Sequence, residues 1–173
     1  ARPAQATLVP DSPDAITSNA GWDTIKHAQL LSDVIQEMKS IGVRVSVFVD
    51  PIPRMVEGAS KTGTDRIELY TEPYAHEFLV NKSIAVKPYV ESARVAQEAG
   101  LGVNAGHDLS QANLAAFVQG VAGVEEVSIG HALVSEPVTE APAPPRRLDT
   151  RDGCRSARPV CIPVEGTRIA MLK

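Results

Sequence analysis

Val43-Arg-Val-Ser-Val-Phe-Val49 places a valine at every second position, starts one residue after Gly42 and stops at Asp50-Pro51. That alternation of β-branched residues predicts a strand. Immediately upstream, Ile25, Leu31, Val34, Ile35, Met38 and Ile41 recur at helical spacing and predict a helix over Thr24–Ile41, with Gly42 at its left-handed cap. A helix, a glycine and a strand are therefore the unit from which the fold is read. Working outward, Gln5–Val9 reads as a strand ended by Pro10, and Pro53–Lys61 as a short helix ended by the Gly63 turn. Arg66–Tyr70 is the next strand, followed by a long loop over Thr71–Lys82. A helix near Pro88–Ala99 is capped by Gly100, with Pro88 tolerated in its first turn. Leu101–Asn104 is a strand, Ala112–Gln119 a helix and Glu126–Ile129 the last strand.

Strands alternating with helices imply parallel βαβ units joined by right-handed crossovers. Five such strands make either an open sheet or the later part of a closed eight-stranded barrel, which typically takes ~250 residues against the 173 here. From Pro137 onward the pattern breaks. Six prolines, beginning with Pro137, share the segment with Arg146, Arg147, Arg151, Arg155 and Arg158, and apolar periodicity is lost. Residues 1–136 are therefore read as the α/β domain and 137–173 as a Pro/Arg-rich tail outside it.

Composition narrows the function. With 43% hydrophobic residues the chain can build a core, and a net charge of −4 gives no basic face for nucleic acid or an anionic membrane. The longest apolar runs, such as Leu114–Val118, are too short to cross a bilayer. No charged-then-apolar leader opens the sequence, and a cytoplasmic location is the default expectation. Cys154 and Cys161, both in the tail without a nearby histidine, fall short of a four-ligand zinc set and read as free thiols.

In parallel α/β proteins function gathers past the carboxyl ends of the strands. There stand Asp11, the loop Thr17-Ser-Asn-Ala-Gly21, Asp50, Glu68 within its strand, Asn104-Ala-Gly-His-Asp108, and Gly130-His131. A carboxylate and two imidazoles at one rim are the parts of an acid–base and phosphate site. Each also has a plainer reading. Alternation could turn Glu68 to solvent, His107 could merely begin a helix, and Gly130 could serve close packing rather than a phosphate. Asp50 before Pro51 reads as a turn former, and His27 and His76 as solvated surface.

Six strings then matter together: Thr7-Leu-Val-Pro-Asp11, Thr17-Ser-Asn-Ala-Gly-Trp-Asp23, Val47-Phe-Val-Asp50, Arg66-Ile-Glu-Leu-Tyr-Thr71, Val103-Asn-Ala-Gly-His-Asp-Leu109 and Val127-Ser-Ile-Gly-His-Ala132. In order and spacing, from Arg2 to Glu136, the chain resembles the pyridoxine 5'-phosphate synthase family. The resemblance implies an α/β fold of the (β/α)8 TIM-barrel type, here incomplete, comprising about strands 4 to 8 with their helices. It implies a transferase that condenses 1-deoxy-D-xylulose 5-phosphate with 3-amino-2-oxopropyl phosphate to pyridoxine 5'-phosphate, phosphate and water. Neither metal nor organic cofactor is implied, and the family forms homo-octamers. His107 matches the family's proton donor on the seventh strand, and Glu68 the carboxylate on the sixth that stabilises charged intermediates. Thr17 matches a contact to the sugar phosphate, and Gly130 and His131 the segment binding the aminoacetone phosphate. Asp108 stands where relatives often have glycine and would contact that phosphate through its backbone N–H.

The family's first three strands carry an Asp-His pair, arginines, a catalytic His and a catalytic Glu, whereas the resemblance here starts at the fourth. The tail stands where the eighth helix would follow Glu136. The alternative reading is accordingly a non-catalytic, truncated barrel fragment, and the 173-residue chain alone is expected to be inactive. A third reading is another phosphate-binding barrel enzyme such as an isomerase or aldolase. An aldolase wants a lysine at a strand end, and Lys26, Lys39, Lys61, Lys82 and Lys87 all fall on helices or loops.

Overall fold

The structure, a computed structural model, describes residues 3–11 and 18–129, together with the backbone of 168–170. In chain order the elements are β1 (Gln5–Leu8), α1 (Ala28–Ser40), β2 (Arg44–Val49), α2 (Pro53–Ser60), β3 (Arg66–Tyr70), α3 (Glu72–Phe78), α4 (Lys82–Ala85), α5 (Lys87–Glu98), β4 (Gly102–Gly106), α6 (Leu114–Gly120), β5 (Val124–Ser128) and β6 (Arg168–Ala170). The strands form one sheet in the order β1-β2-β3-β4-β5-β6, with every neighbouring pair parallel. The five strands expected from sequence are all present, within two residues at each end. β6 falls in the stretch read as a tail, and its Arg168 is in register with Glu126 of β5.

The strand order never reverses, whereas a doubly wound sheet turns back at a switch point. Repeated right-handed crossovers in one direction place every helix on the same face. This is the winding of barrel staves, and the α/β sheet is compatible with a TIM-barrel-like fold. Side-chain alternation agrees. Val45, Val47, Val49, Ile67, Leu69, Val103, Ala105 and Val127 form one core with Leu31, Ile35, Val56, Ala59, Ala93, Ala96 and Phe117 of the helices. Phe48 and Tyr70 are also buried but stand outside that core, on the opposite face, with their rings 5.3 Å apart.

Two helical expectations change. The first turn of the helix expected from Thr24 is not α-helical. Asp23 accepts bonds from the Ile25 and Lys26 amides at 3.2 and 2.9 Å, and the Thr24 hydroxyl donates to the Met55 carbonyl at 2.7 Å, so α1 begins at Ala28. Its end is as expected: Gly42 has φ 80°, and its amide and that of Val43 donate to Lys39 and Met38 at 2.9 and 3.1 Å.

The stretch expected as a long loop, Thr71–Lys82, instead contains α3. Pro73 sits in its first turn, where a missing N–H costs nothing. Tyr74 and Phe78, one turn apart, carry the apolar face.

That helix matters because of what it closes. Tyr74 meets Phe78, Tyr89 and Phe117 at centroid distances of 5.4, 5.7 and 4.9 Å, and Tyr89 meets Phe117 at 5.2 Å. Burial is compensated for the hydroxyls: Tyr74 donates to the Asn113 carbonyl at 2.9 Å, and Tyr89 donates to the Tyr70 carbonyl at 2.9 Å while accepting from the Tyr74 amide at 3.1 Å. The cluster thus joins α3, α5 and α6 to the carboxyl end of β3. Phe117→Ala should cost about 3–5 kcal/mol, read by denaturant unfolding. A cost below about 1 kcal/mol would show that the cluster does not anchor this end of the sheet.

Candidate active site at the carboxyl ends of the strands

β3 alternates Arg66, Glu68 and Tyr70 on one face with Ile67 and Leu69 on the other, and the latter two belong to the helix-covered core. Glu68 therefore lies on the inner face of the sheet, and at 4% exposure it does not point to solvent. Its Oε2 accepts from the Thr7 hydroxyl of β1 at 2.9 Å. On the other side it presses on β4: a Cβ built at Gly106 would stand 2.3 Å from Glu68 Oε1 and 3.0 Å from the Ser128 carbonyl. Gly106 is thus required by close approach, not by its backbone angle. Burial pushes the Glu68 carboxyl above its ordinary range. The Thr7 and Ser128 hydroxyls pull it back, Glu126 adds to the rise, and the neighbouring His107 opposes it.

One layer toward the amino ends of the strands, the inner face carries a polar chain. Arg66 Nε donates to Asn104 Oδ1 at 2.9 Å, and Asn104 Nδ2 donates to Glu126 Oε2 at 3.2 Å. Gln5 Nε2 and Arg44 Nη2 reach the same carboxylate at 3.2 and 2.6 Å. Burial opposes the Glu126 charge, but Arg44, with Arg66 and Gln5, outweighs it and holds that carboxyl below its ordinary value. The two glutamates of the inner face are therefore pushed in opposite directions, Glu126 toward permanent charge and Glu68 toward holding a proton.

His107 and Asp108 follow β4 directly, at φ 83° and 46°. Left-handed backbone at two successive residues with side chains is strained, on the order of 1–3 kcal/mol each, and persists where neighbours over-determine it. Here the His107 amide donates to the Ser128 carbonyl at 3.3 Å, the Thr71 amide donates to the Gly106 carbonyl at 3.0 Å, and the Thr71 hydroxyl reaches the carbonyls of Gly106 and His107. The His107 ring lies edge-on to Tyr70 with centroids 5.3 Å apart, and its Nδ1 is 3.2 Å from Asp108 Oδ2. With 22% of its side chain exposed, it is reachable from solvent, unlike Glu68. Tyr70 donates in turn to Glu72, and burial followed by that carboxylate raises its phenol well above the usual range.

At the opposite side of the rim, residues 18–23 fold against the end of β2. Gly21 N donates to Asp50 Oδ1 at 3.1 Å, Trp22 N to the Phe48 carbonyl at 2.9 Å and Trp22 Nε1 to the Leu8 carbonyl at 3.1 Å. A Cβ at Gly21 would stand 2.2 Å from the Asp50 amide nitrogen, so only glycine lets this loop close. Asp50 is therefore more than a turn former, since it fastens the loop that follows β1. His27 is half-buried with its ring 5.4 Å from Trp22 rather than solvated, whereas His76 is exposed and 3.4 Å from Glu72. Ser18 donates to Asp11.

Of the residues singled out from sequence, Glu68 and His107 come together across β3 and β4, with Asp108 beside His107. Thr17, Gly130 and His131 lie outside the described residues. Thr7, Thr71 and the Arg66, Glu126 and Arg44 partners that join Asn104 in one chain were missed. For all but Thr71 the signal was the polar alternates Gln5/Thr7, Arg44/Ser46, Arg66/Glu68, Asn104/Gly106 and Glu126/Ser128, which share one face once the strands are in register. Among the described residues there is no group of three or more His, Cys, Asp or Glu side chains able to hold a metal ion.

The raised Glu68 carboxyl has a thermodynamic signature. Between its ordinary value and its raised folded value, the folded state binds the proton more tightly than the unfolded chain, so stability falls as pH rises through that window. Glu68→Gln should therefore raise Tm near about pH 8, with the gain shrinking toward zero below about pH 4. A loss of Tm at the alkaline end, or a gain independent of pH, would contradict the assignment.

The family model described as pyridoxal phosphate biosynthesis protein PdxJ matches residues 1–141. The pyridoxine 5'-phosphate synthases of Christiangramia forsetii and Flavobacterium johnsoniae are each 58% identical to the chain over 135 residues, and that of Cytophaga hutchinsonii is 56% identical over 135 residues. Each alignment covers 78% of this chain and 57% of the relative, so the chain spans little more than half the length of the curated relatives it matches. A family match over most of the sequence, with identity of this order, shows that the chain belongs to the PdxJ family of pyridoxal phosphate biosynthesis proteins.

Proposed function

We propose that this chain is part of a pyridoxine 5'-phosphate synthase, its first five strands corresponding to the fourth to eighth staves of a (β/α)8 barrel. The observation that carries the reading is the buried Glu68 carboxyl beside the solvent-reachable His107 ring at the carboxyl ends of adjacent strands. The substrates are 1-deoxy-D-xylulose 5-phosphate and 3-amino-2-oxopropyl phosphate. Amine addition, dehydration, loss of phosphate and ring closure make or break C–N, C–O and C–C bonds, each with a proton gained or lost, so the protein's task is to supply and remove protons around one cavity while holding two phosphates. No resident metal or organic cofactor is required for such a sequence.

In this reading His107 donates protons to the leaving groups and Glu68 steadies cationic intermediates from the wall. Because burial favours its neutral form, Glu68 keeps a proton to higher pH than an ordinary glutamate does. Thr17 contacts the sugar phosphate, and Gly130 and His131 the aminoacetone phosphate, at the phosphate position usual for barrels. Asp108 joins them through its backbone N–H. One fact supports that mode: its left-handed backbone is the conformation glycine adopts most easily.

An assembled, cytoplasmic homo-octamer fits the same reading. Leu79 and Val80, 84% and 82% exposed after α3, lie in the α3–α5 region with the exposed Ile84 and Val90, and this apolar surface supports burial against another copy. Among the described residues no helix is long and apolar enough to cross a membrane.

The test is to supply both phosphates to the full-length protein and measure pyridoxine 5'-phosphate and inorganic phosphate. One of each per turnover is expected, and His107→Ala should lower kcat by roughly 10²–10⁴-fold. Absence of product from a folded, assembled protein would favour a non-catalytic chain, and near-normal kcat in His107→Ala would remove that residue from the chemistry.

A further inference from the structure

His107 is held in place by something other than its own strand. β4 ends at Gly106, and the next two residues adopt left-handed backbone although neither is glycine. In the same region one side chain is used in an unusual way. Thr71 is the residue before α3, where a threonine hydroxyl ordinarily accepts a bond from an amide in the first helical turn. Thr71 makes no such cap bond. Its hydroxyl points across to β4 and shares its proton between the Gly106 carbonyl, at 2.7 Å, and the His107 carbonyl, while its amide donates to the same Gly106 carbonyl at 3.0 Å. The residue is fully buried, so water does not compete for these bonds. On one side of it, Tyr70 lays its ring against the His107 imidazole, and on the other Glu72 accepts a hydrogen bond from the Tyr70 hydroxyl. Three consecutive residues therefore restrain one histidine through its carbonyl and its ring.

We infer that Thr71 is a positioning residue for His107: its hydroxyl holds the left-handed His107–Asp108 turn after Gly106 in the conformation that stations the imidazole near Glu68. The inference rests on the reading of His107 as the proton donor. A side chain with the same branching and no hydroxyl fills the space without the restraint, and a displacement on the order of 1 Å at a reacting group costs up to about 10²-fold in rate.

The experiment uses the full-length protein and compares Thr71→Val, Thr71→Ala and Thr71→Ser, each alone and with His107→Ala. The two variants without a hydroxyl should lose roughly 10-fold or more in kcat with less than about a twofold change in KM, and Thr71→Ser should recover most of that loss. In the His107→Ala background, Thr71→Val should add no further loss, because the two residues act through one group. Amide hydrogen exchange gives a readout independent of turnover: at His107–Leu109 it should accelerate at least about tenfold in Thr71→Val while β2 stays protected. Equal losses in both backgrounds, or a Thr71→Ser variant as impaired as Thr71→Val, would overturn the inference. Failure of both hydroxyl-free variants to fold would also overturn it, since Thr71 would then serve the fold alone. A full-length protein that makes no pyridoxine 5'-phosphate would sink the proposed function, while the exchange measurement would still decide whether Thr71 restrains the turn.

Discussion

Parallel strands wound in one direction leave the helices a single face of the sheet to cover, and nearly everything else in this molecule depends on that constraint. The covered face is filled by valine, isoleucine, leucine and alanine from the strands. The other face must accommodate whatever the alternate positions carry, and here they carry Thr7, Ser46, Arg66, Glu68, Asn104 and Glu126. A charged group on such a wall survives only with partners. Arg44, Arg66, Asn104 and Gln5 provide them for Glu126, whereas Glu68 meets hydroxyls, a close-packed glycine and a second carboxylate. The same wall thus holds one carboxyl kept in its charged form by its partners and one that burial pushes toward its neutral form.

Positioning His107 takes a different kind of device. His107 is outside the β ladder, on a turn that its own sequence disfavours, so its placement comes from neighbours. The aromatic cluster of Tyr74, Tyr89 and Phe117 fixes the start of α3 and, through Tyr89, the carbonyl of Tyr70. From there Tyr70 and Thr71 reach His107 directly. Core packing and site geometry are consecutive links of one chain, and a core residue such as Phe117 influences the rim without touching it.

Much of this was legible in the residues. Valine alternation in Val43–Val49 and the glycines at 42, 63 and 100, all with positive φ, marked strand and helix ends correctly. Arg66–Tyr70 begins and ends where its pattern does. Glu68 and His107 stood among the several residues that the rule for parallel strands points to, and the family resemblance singled out the two. What could not be read was tertiary. The partners of Glu126 are 22, 82 and 121 positions away in sequence, and only register brings them to one carboxylate. The α3 helix was hidden because Glu72-Pro73 resembles a loop, although proline in a first turn is harmless. The first turn of α1 was lost because Asp23 and Thr24 bind backbone groups in competition with the helix.

The fold sets the proton affinity of Glu68 by burying it near His107. The most direct test is infrared titration of the carboxyl stretch, taken as the difference between the wild-type protein and Glu68→Gln. The account predicts a midpoint above the ordinary glutamate value of about 4.3, moving further up in His107→Ala because a favourable neighbour is removed. A midpoint at the ordinary value, unmoved by loss of His107, would contradict it.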